Sequence, residues 1–94
     1  MSEHTPIEPF GVRLDRLLRE AERSQAWLVH HSKLSSSVIS RLIRGDRLPT
    51  LEHVAAIAPL FGLSASQVVA GTDAESRIAE ASQYVTRAHF ESVH

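Results

Sequence analysis

The residue types that most often carry catalysis or bind metals are absent from this chain or are unsuitably spaced. The 94 residues include no cysteine, which excludes a disulfide framework, a thiolate zinc site and a cysteine nucleophile. His30 and His31 are adjacent, so on a helix they point about 100° apart and cannot bind one metal ion together. The serine run from Ser35 to Ser37 lacks the glycine-flanked strand-to-helix turn of a nucleophile elbow. We therefore predict no enzymatic activity, no metal site and no cofactor.

Basic side chains concentrate in one half of the sequence, although the formal net charge is only -1. Residues 10–50 contain eight basic and four acidic side chains, whereas residues 51–94 contain two basic and five acidic ones. Such polarity is expected when one face of a protein meets a polyanion and the other face stays away from it. A chance mixture of solvated charges is the alternative.

Short helices must position these side chains. A first amphipathic helix is predicted by apolar residues at helical spacing, which are Phe10, Leu14, Leu17, Leu18 and Ala21. The face of that helix that carries Arg13 and Arg16 is predicted to be solvated. Ser24 can cap a second helix that runs to about His31, and the serines at positions 35–37 can cap a third helix that ends at Gly45.

Two further helices follow the third. Thr50 is the predicted cap of a fourth helix, whose wide apolar face includes Ala55 and extends to Phe61. Ser64 and Gln67 form a capping box that begins a short fifth helix. No strand pattern occurs anywhere in the sequence. We therefore predict an all-α domain of five helices.

The sequence divides into three segments. Residues 1–9 are predicted to be a flexible N-terminal segment, residues 10–72 the helical domain, and residues 73–94 a C-terminal helix that acts as an oligomerisation or partner-binding arm. This last helix carries a narrow apolar seam that its own domain or a second subunit must cover, formed by Ala74, Ile78, Ala81, Val85 and Ala88. Because no signal peptide and no run of 18 apolar residues occurs, we expect a cytoplasmic protein that does not enter a membrane.

Two segments of the sequence resemble a known family. SQAWLVHHSKLSSSVISRLIRG, residues 24–45, aligns without a gap with the helix pair of the Cro and phage-repressor class of helix-turn-helix proteins, the XRE family. LPTLEHVAAIAPLFGLSASQVVAG, residues 48–71, is similar to the fourth and fifth helices of that family. The resemblance implies a five-helix lambda-repressor-like DNA-binding domain at residues 10–72, in a bacterial or phage-type regulator associated with the nucleoid.

The resemblance also assigns roles to individual side chains. Its base-contacting positions correspond to Ser36, Ser37 and Arg41. Its phosphate-contacting positions correspond to Gln25, Ser35 and Arg44, and the following connection adds Arg47 as a further candidate. Arginine can donate two parallel hydrogen bonds to guanine O6 and N7, so Arg41 is the strongest candidate for direct readout. Serine reaches less far, so we expect phosphate contacts and DNA shape to contribute to specificity.

The sequence departs from the family pattern around the helix pair. Glu22 and Lys33 stand where glycine is more usual, and at Lys33 a glycine would tolerate the positive φ that the turn can require. Val29 replaces a small residue and Ser32 replaces a buried apolar one, so we expect a reshaped turn. Trp27 stands where a polar residue is common, and we expect it to pack at the edge of the core rather than against another chain.

One domain of this class reads only a few base pairs, so the expected functional unit is a homodimer on a palindromic operator in double-stranded DNA. The function that the resemblance favours is transcriptional repression. Two alternatives stay open. The chain could be the antitoxin or control protein of a paired system, with a protein partner on the terminal helix, or it could be a protein-interaction module on the same fold.

Overall fold

The first helix forms because its apolar residues recur every three or four positions and pack on one side. In the computed structural model, which describes residues 7–82, α1 spans Phe10–Glu20 and buries Phe10, Gly11, Leu14 and Leu18. The predicted inward position of Ala21 is wrong, since this residue follows the end of α1 and is exposed. The next residue, Glu22, takes the left-handed conformation at φ 55°, which turns the chain away from the helix axis.

The second and third helices begin and end where their capping residues predict. Helix α2 spans Gln25–Ser32, and the hydroxyl of Ser24 accepts a hydrogen bond from the N–H of Trp27 at 3.0 Å. Helix α3 spans Ser36–Arg44, and Gly45 ends it in the left-handed conformation at φ 83°. Glycine takes this conformation without the steric cost that a Cβ atom imposes.

The predicted fourth helix is two elements rather than one. Helix α4 spans Leu51–Ile57, and a 3₁₀ helix continues over Ala58–Phe61. The α-helix cannot continue because Pro59 lacks an N–H and its ring would clash with the carbonyl of Ala55. The predicted burial of Ala55 is also wrong, since its side chain is exposed.

Helix α5 spans Ala65–Val69 and begins with the predicted capping box. The N–H of Gln67 donates to the hydroxyl of Ser64 at 3.1 Å, and the Gln67 side-chain oxygen accepts from the N–H of Ser64 at 2.8 Å. A sixth helix, α6, covers residues 75–82 within the described range. The described residues contain no strand, so this part of the chain is all-α.

The segment before α1 is tied to the segment before α6. The N–H of Glu8 donates to the carbonyl of Gly71 at 3.0 Å, and the N–H of Asp73 donates to the carbonyl of Glu8 at 2.9 Å. The carboxylate of Asp73 also accepts from the N–H of Phe10 at 2.9 Å, so α1 is capped by a residue 63 positions later in the sequence. Backbone hydrogen bonds thus join Glu8 to the segment before α6; positions 1–6 lie outside the described residues.

The hydrophobic core of residues 7–82 joins the six α-helices and the 3₁₀ helix. Leu28 on α2 and Ile39 and Leu42 on α3 have no exposed surface, and Leu34 in the turn between these helices is half-buried. Ala74 and Ile78 belong to the same core, so this part of the apolar seam is covered by its own domain. Ala81, the next member of the seam, is half-buried, and the members at positions 85 and 88 lie outside the described residues.

Trp27 packs at the edge of this core, as predicted. Its side chain is half-buried, and its ring centroid lies 6.0 Å from that of Phe61 and 4.9 Å from that of His31.

None of the helices within residues 7–82 combines the length and apolar character that crossing a bilayer requires.

A single glycine sets how closely α1 approaches α3. Gly11 is buried, and a Cβ atom built on it would overlap the carbonyl oxygens of Leu42 and Ile43 in the last turn of α3. No side chain other than hydrogen fits at this crossing. The position of α3 therefore depends on the absence of a side chain at residue 11.

Candidate nucleic-acid interface

The turn between α2 and α3 depends on Lys33 and Ser32. Lys33 takes the left-handed conformation at φ 68°, and its N–H donates to the carbonyl of Val29 at 3.2 Å. The buried hydroxyl of Ser32 accepts from the N–H of Leu34 at 3.2 Å, so this polar group is satisfied where an apolar residue was expected. Lys33 therefore supplies the positive φ that a glycine would tolerate.

The candidate base-contacting residues share the solvent side of α3. Ser36, Ser37 and Arg41 are all exposed, whereas Ile39 and Leu42 on the other side have no exposed surface. Ser37 and Arg41 are four residues apart and so lie one above the other on the helix. The buried side of α3 is held by α1 and α2, which leaves the opposite side available to a ligand.

All four candidate phosphate-contacting residues are exposed: Gln25, Ser35, Arg44 and Arg47. Gln25 opens α2, where the first-turn amides have no partner within the helix. The hydroxyl of Ser35 accepts from the N–H of Val38 at 3.1 Å, which leaves its own proton able to donate to a phosphate oxygen. Arg44 already has a carboxylate partner within the domain, because its Nε donates to the Asp46 carboxylate at 3.1 Å.

Half of the basic side chains between residues 10 and 50 have an internal carboxylate partner. Arg13 and Arg16 both bind the carboxylate of Glu8, with Arg13 Nε at 2.7 Å from Glu8 Oε2. Arg13 also donates to the carbonyl of Val68 at 3.2 Å. The predicted solvated face of α1 is therefore wrong at Arg13, which joins α1 to the N-terminal segment and to α5.

The remaining cations lie mostly on or beside the helix pair. Arg19 pairs with Asp15 at 2.8 Å, and Arg44 pairs with Asp46. Within residues 7–82, the salt bridges leave four cations of this region without a carboxylate: Arg23, Lys33, Arg41 and Arg47. Of these, Arg23 lies over the Trp27 ring at 5.1 Å from its centroid. The other three occupy the turn, the exposed side of α3 and the connection after it.

We expect the Glu8 carboxylate to make the stability of the domain sensitive to acid. The hydrogen bond from Arg16, assisted by Arg13, holds the pKa of Glu8 below its usual 4.5 although burial opposes this. Because the folded pKa is the lower one, the stabilising contribution is present above 4.5 and is lost as the pH falls through the folded value. We expect Glu8→Gln to reduce the loss of unfolding free energy that urea titrations show between about pH 5 and 2.

Glu80→Gln is the matched control for this prediction, since Glu80 is an exposed carboxylate on α6. It should leave the acid dependence as in the unsubstituted protein. An equal reduction in both variants would show that the Glu8 ion pairs carry no particular share of the acid sensitivity.

A second capping box fixes the start of α4, beside the connection that carries Arg47. The hydroxyl of Thr50 accepts from the N–H of His53 at 3.2 Å, and His53 Nδ1 accepts from the N–H of Thr50 at 3.1 Å. Accepting this bond requires Nδ1 to carry no proton. Burial and the nearby charge of Arg47 lower the pKa of His53 below its usual 6.5, against the opposite effect of Glu52.

The capping box is therefore expected to weaken in mild acid. Because the folded pKa of His53 is lowered, its contribution is present above pH 6.5 and is lost as the pH falls through the folded value. His53→Gln should retain the box, since glutamine is a usual partner at this position, and should flatten thermal stability between about pH 7 and 5. His30→Gln, at an exposed site on α2, is the control, and an unchanged pH profile in His53→Gln would contradict the prediction.

Sequence reasoning missed several residues that position this surface. An isolated glycine inside a helical pattern is a signal for close packing, and Gly11 carried that signal. The ion pairs of Glu8 and Asp46 had no local signal that distinguished them from solvated charges.

No family model, curated protein or solved structure matches the chain.

Proposed function

We propose that the protein binds double-stranded DNA sequence-specifically and regulates transcription as a repressor. In the proposed complex, α2 and α3 act as a helix-turn-helix of the Cro and phage-repressor class, on a five-helix lambda-repressor-like domain. Helix α3 enters the major groove, which is about 12 Å wide and admits one helix. The N-terminus of α2 meets the phosphate backbone.

The observation that carries this proposal is the distribution of unpaired cations. Binding to DNA is driven by cations that replace the counterions condensed on its phosphates. The arginines of α1 that pair with Glu8 and Asp15 are largely neutralised within the domain. Lys33, Arg41 and Arg47 have no such partner within residues 7–82. The charge available to a polyanion is thus concentrated at the helix pair.

The backbone gives separate support for the helix-turn-helix assignment. Within residues 7–82, Glu22 and Lys33 are the two non-glycine residues with positive φ. These are also the two positions at which the sequence lacks a glycine that the family more often has. A left-handed backbone conformation costs a non-glycine residue about 1 to 2 kcal/mol, so packing in the rest of the domain must stabilise it at these two positions.

The expected mode of recognition follows from the exposed side of α3. Arg41 would read a guanine through two parallel hydrogen bonds, and Ser36 and Ser37 would make shorter contacts near the start of the helix. Gln25, Ser35, Arg44 and Arg47 form the proposed phosphate contacts on either side. Two serines discriminate weakly between bases, so part of the specificity would come from DNA shape.

Two copies are needed for a useful affinity, so the proposed unit is a homodimer on an inverted repeat. Ala74 and Ile78 cannot form the contact between subunits while they are buried in their own core. The dimer must therefore use other surfaces of the domain or residues outside 7–82.

The experiment that tests the proposal is selection of bound sequences from random duplexes, followed by a salt titration of the selected site. We expect an inverted repeat with half-site centres about 10 to 10.5 base pairs apart. If Arg44 and Arg47 of both subunits neutralise four phosphates, log K should fall against log salt with a slope of about -3.6, from about -0.9 per phosphate. Binding that selects no sequence and is insensitive to salt would contradict the proposal.

A further inference from the structure

The residue that follows Gly45 places a carboxylate at the end of the proposed recognition helix. The N–H of Asp46 donates to the carbonyl of Arg41 at 2.9 Å, and the N–H of Gly45 donates to the carbonyl of Leu42 at 3.2 Å. This pair of bonds is the Schellman arrangement, which fixes the two residues after a helix relative to its last turn. The position of Asp46 is therefore set by the same backbone that positions Arg41.

A negative charge at this position is locally unfavourable. The C-terminal end of a helix carries partial negative charge, so an acidic side chain there opposes helix formation. The compensating partner is Arg44, whose Nε lies 3.1 Å from Asp46 Oδ2. Both side chains are about 60% exposed, at 61% and 58%, and exposed ion pairs of this kind contribute little to folding. Stability alone does not explain why this carboxylate is here.

We propose that Asp46 limits binding to nonspecific DNA by holding Arg44 in an internal ion pair. This inference rests on the proposed DNA-binding function. A phosphate that fits the complex displaces the carboxylate from Arg44, because the specific contacts fix it within reach. A loosely placed phosphate on a random sequence does not displace it, so Arg44 stays neutralised. Asp46 thereby lowers the affinity for both kinds of DNA, because the specific complex must break the ion pair and the nonspecific complex loses the Arg44 contact.

Removal of the carboxylate should release Arg44 to any DNA. We expect Asp46→Asn to raise affinity for a random-sequence duplex by up to about fivefold for each subunit, the effect of breaking one exposed ion pair. The salt slope on that duplex should steepen by about 0.9 for each subunit. Affinity for the selected site should rise at least as much, because that complex must break the ion pair before Arg44 can contact its phosphate. Asparagine keeps the backbone N–H, so the bond to the Arg41 carbonyl is retained.

A double-mutant cycle separates release of Arg44 from simple loss of a negative charge. In an Arg44→Gln background, Asp46→Asn should give no further gain in nonspecific affinity or salt slope. Asp15→Asn is the matched control, because Asp15 forms an ion pair with Arg19 on α1 and neither residue is among the proposed contacts. It should leave both measurements unchanged.

The test is a titration of the full chain and its variants against a labelled random-sequence duplex at several salt concentrations. A gain for Asp46→Asn that disappears with Arg44→Gln supports the inference. Binding by the unsubstituted protein without a gain for Asp46→Asn overturns the inference and leaves the proposed function intact, and a gain that persists with Arg44→Gln does the same. Salt-insensitive binding by every protein overturns both.

Discussion

Gly11→Ala is expected to lower the free energy of unfolding by about 3 kcal/mol, the upper part of the range for overpacked cores. The added methyl group would overlap the carbonyl oxygens of Leu42 and Ile43. These oxygens belong to the hydrogen-bonded backbone of α3 and cannot rotate away as the end of a side chain could. Close-packed interiors transmit such strain instead of absorbing it, so α1 and α3 must separate.

Thermal and urea unfolding both measure this effect, with about 4 to 8 °C of Tm for each kcal/mol in a domain of this size. Val12→Ala is the control, since Val12 is the next residue of α1 and is exposed, and it should change stability by no more than about 0.5 kcal/mol. In a helix, alanine is intrinsically more favourable than glycine by about 1 kcal/mol. A stabilised Gly11→Ala variant would therefore show that propensity outweighs the overlap and would contradict the prediction.

Arg41→Ala is expected to reduce affinity for the selected duplex by about 1 to 3 kcal/mol, the discrimination that one bidentate arginine contact provides. The loss should be concentrated at one base pair of each half-site, where the variant should accept substitutions that the unsubstituted protein rejects. Folding should be unaffected, because Arg41 is exposed and alanine favours helices. Fluorescence anisotropy with duplexes substituted at single positions measures both effects.

Arg77→Ala is the matched control for this substitution. Arg77 is an exposed arginine on α6, outside the proposed interface, and its removal changes the net charge by the same amount. We expect it to leave both affinity and base preference unchanged. Equal losses in the two variants would mean that Arg41 acts through general charge and reads no base.

The local signals in the sequence predicted the helices well. Caps and left-handed glycines act within a few residues, so Ser24, Ser35, Gly45 and Ser64 could be interpreted without knowledge of the fold. The least accurate assignments concerned helix ends that depend on a competing residue. Pro59, for example, replaced the last turn of the predicted fourth helix with a 3₁₀ helix.

The candidate site could be predicted only in part. Exposure of Ser36, Ser37 and Arg41 follows from helical spacing once Ile39 and Leu42 are taken as the buried side. Which cations are available to a ligand does not follow from spacing, because a carboxylate several residues away can pair with them. Arg13 and Arg44 both counted toward a basic face in the sequence, and both have carboxylate partners in the structure.

The sequence by itself determined the all-α class, the capping residues and the two helices of the candidate interface, because helix periodicity and capping are local interactions. Only the tertiary structure decided how that interface is held and charged. The crossing of α1 over α3 at Gly11, the hydrogen bond from Phe10 to Asp73 and the burial of Ile78 in its own core join residues distant in the chain. Such contacts depend on how whole helices pack, and no short window of sequence contains both partners.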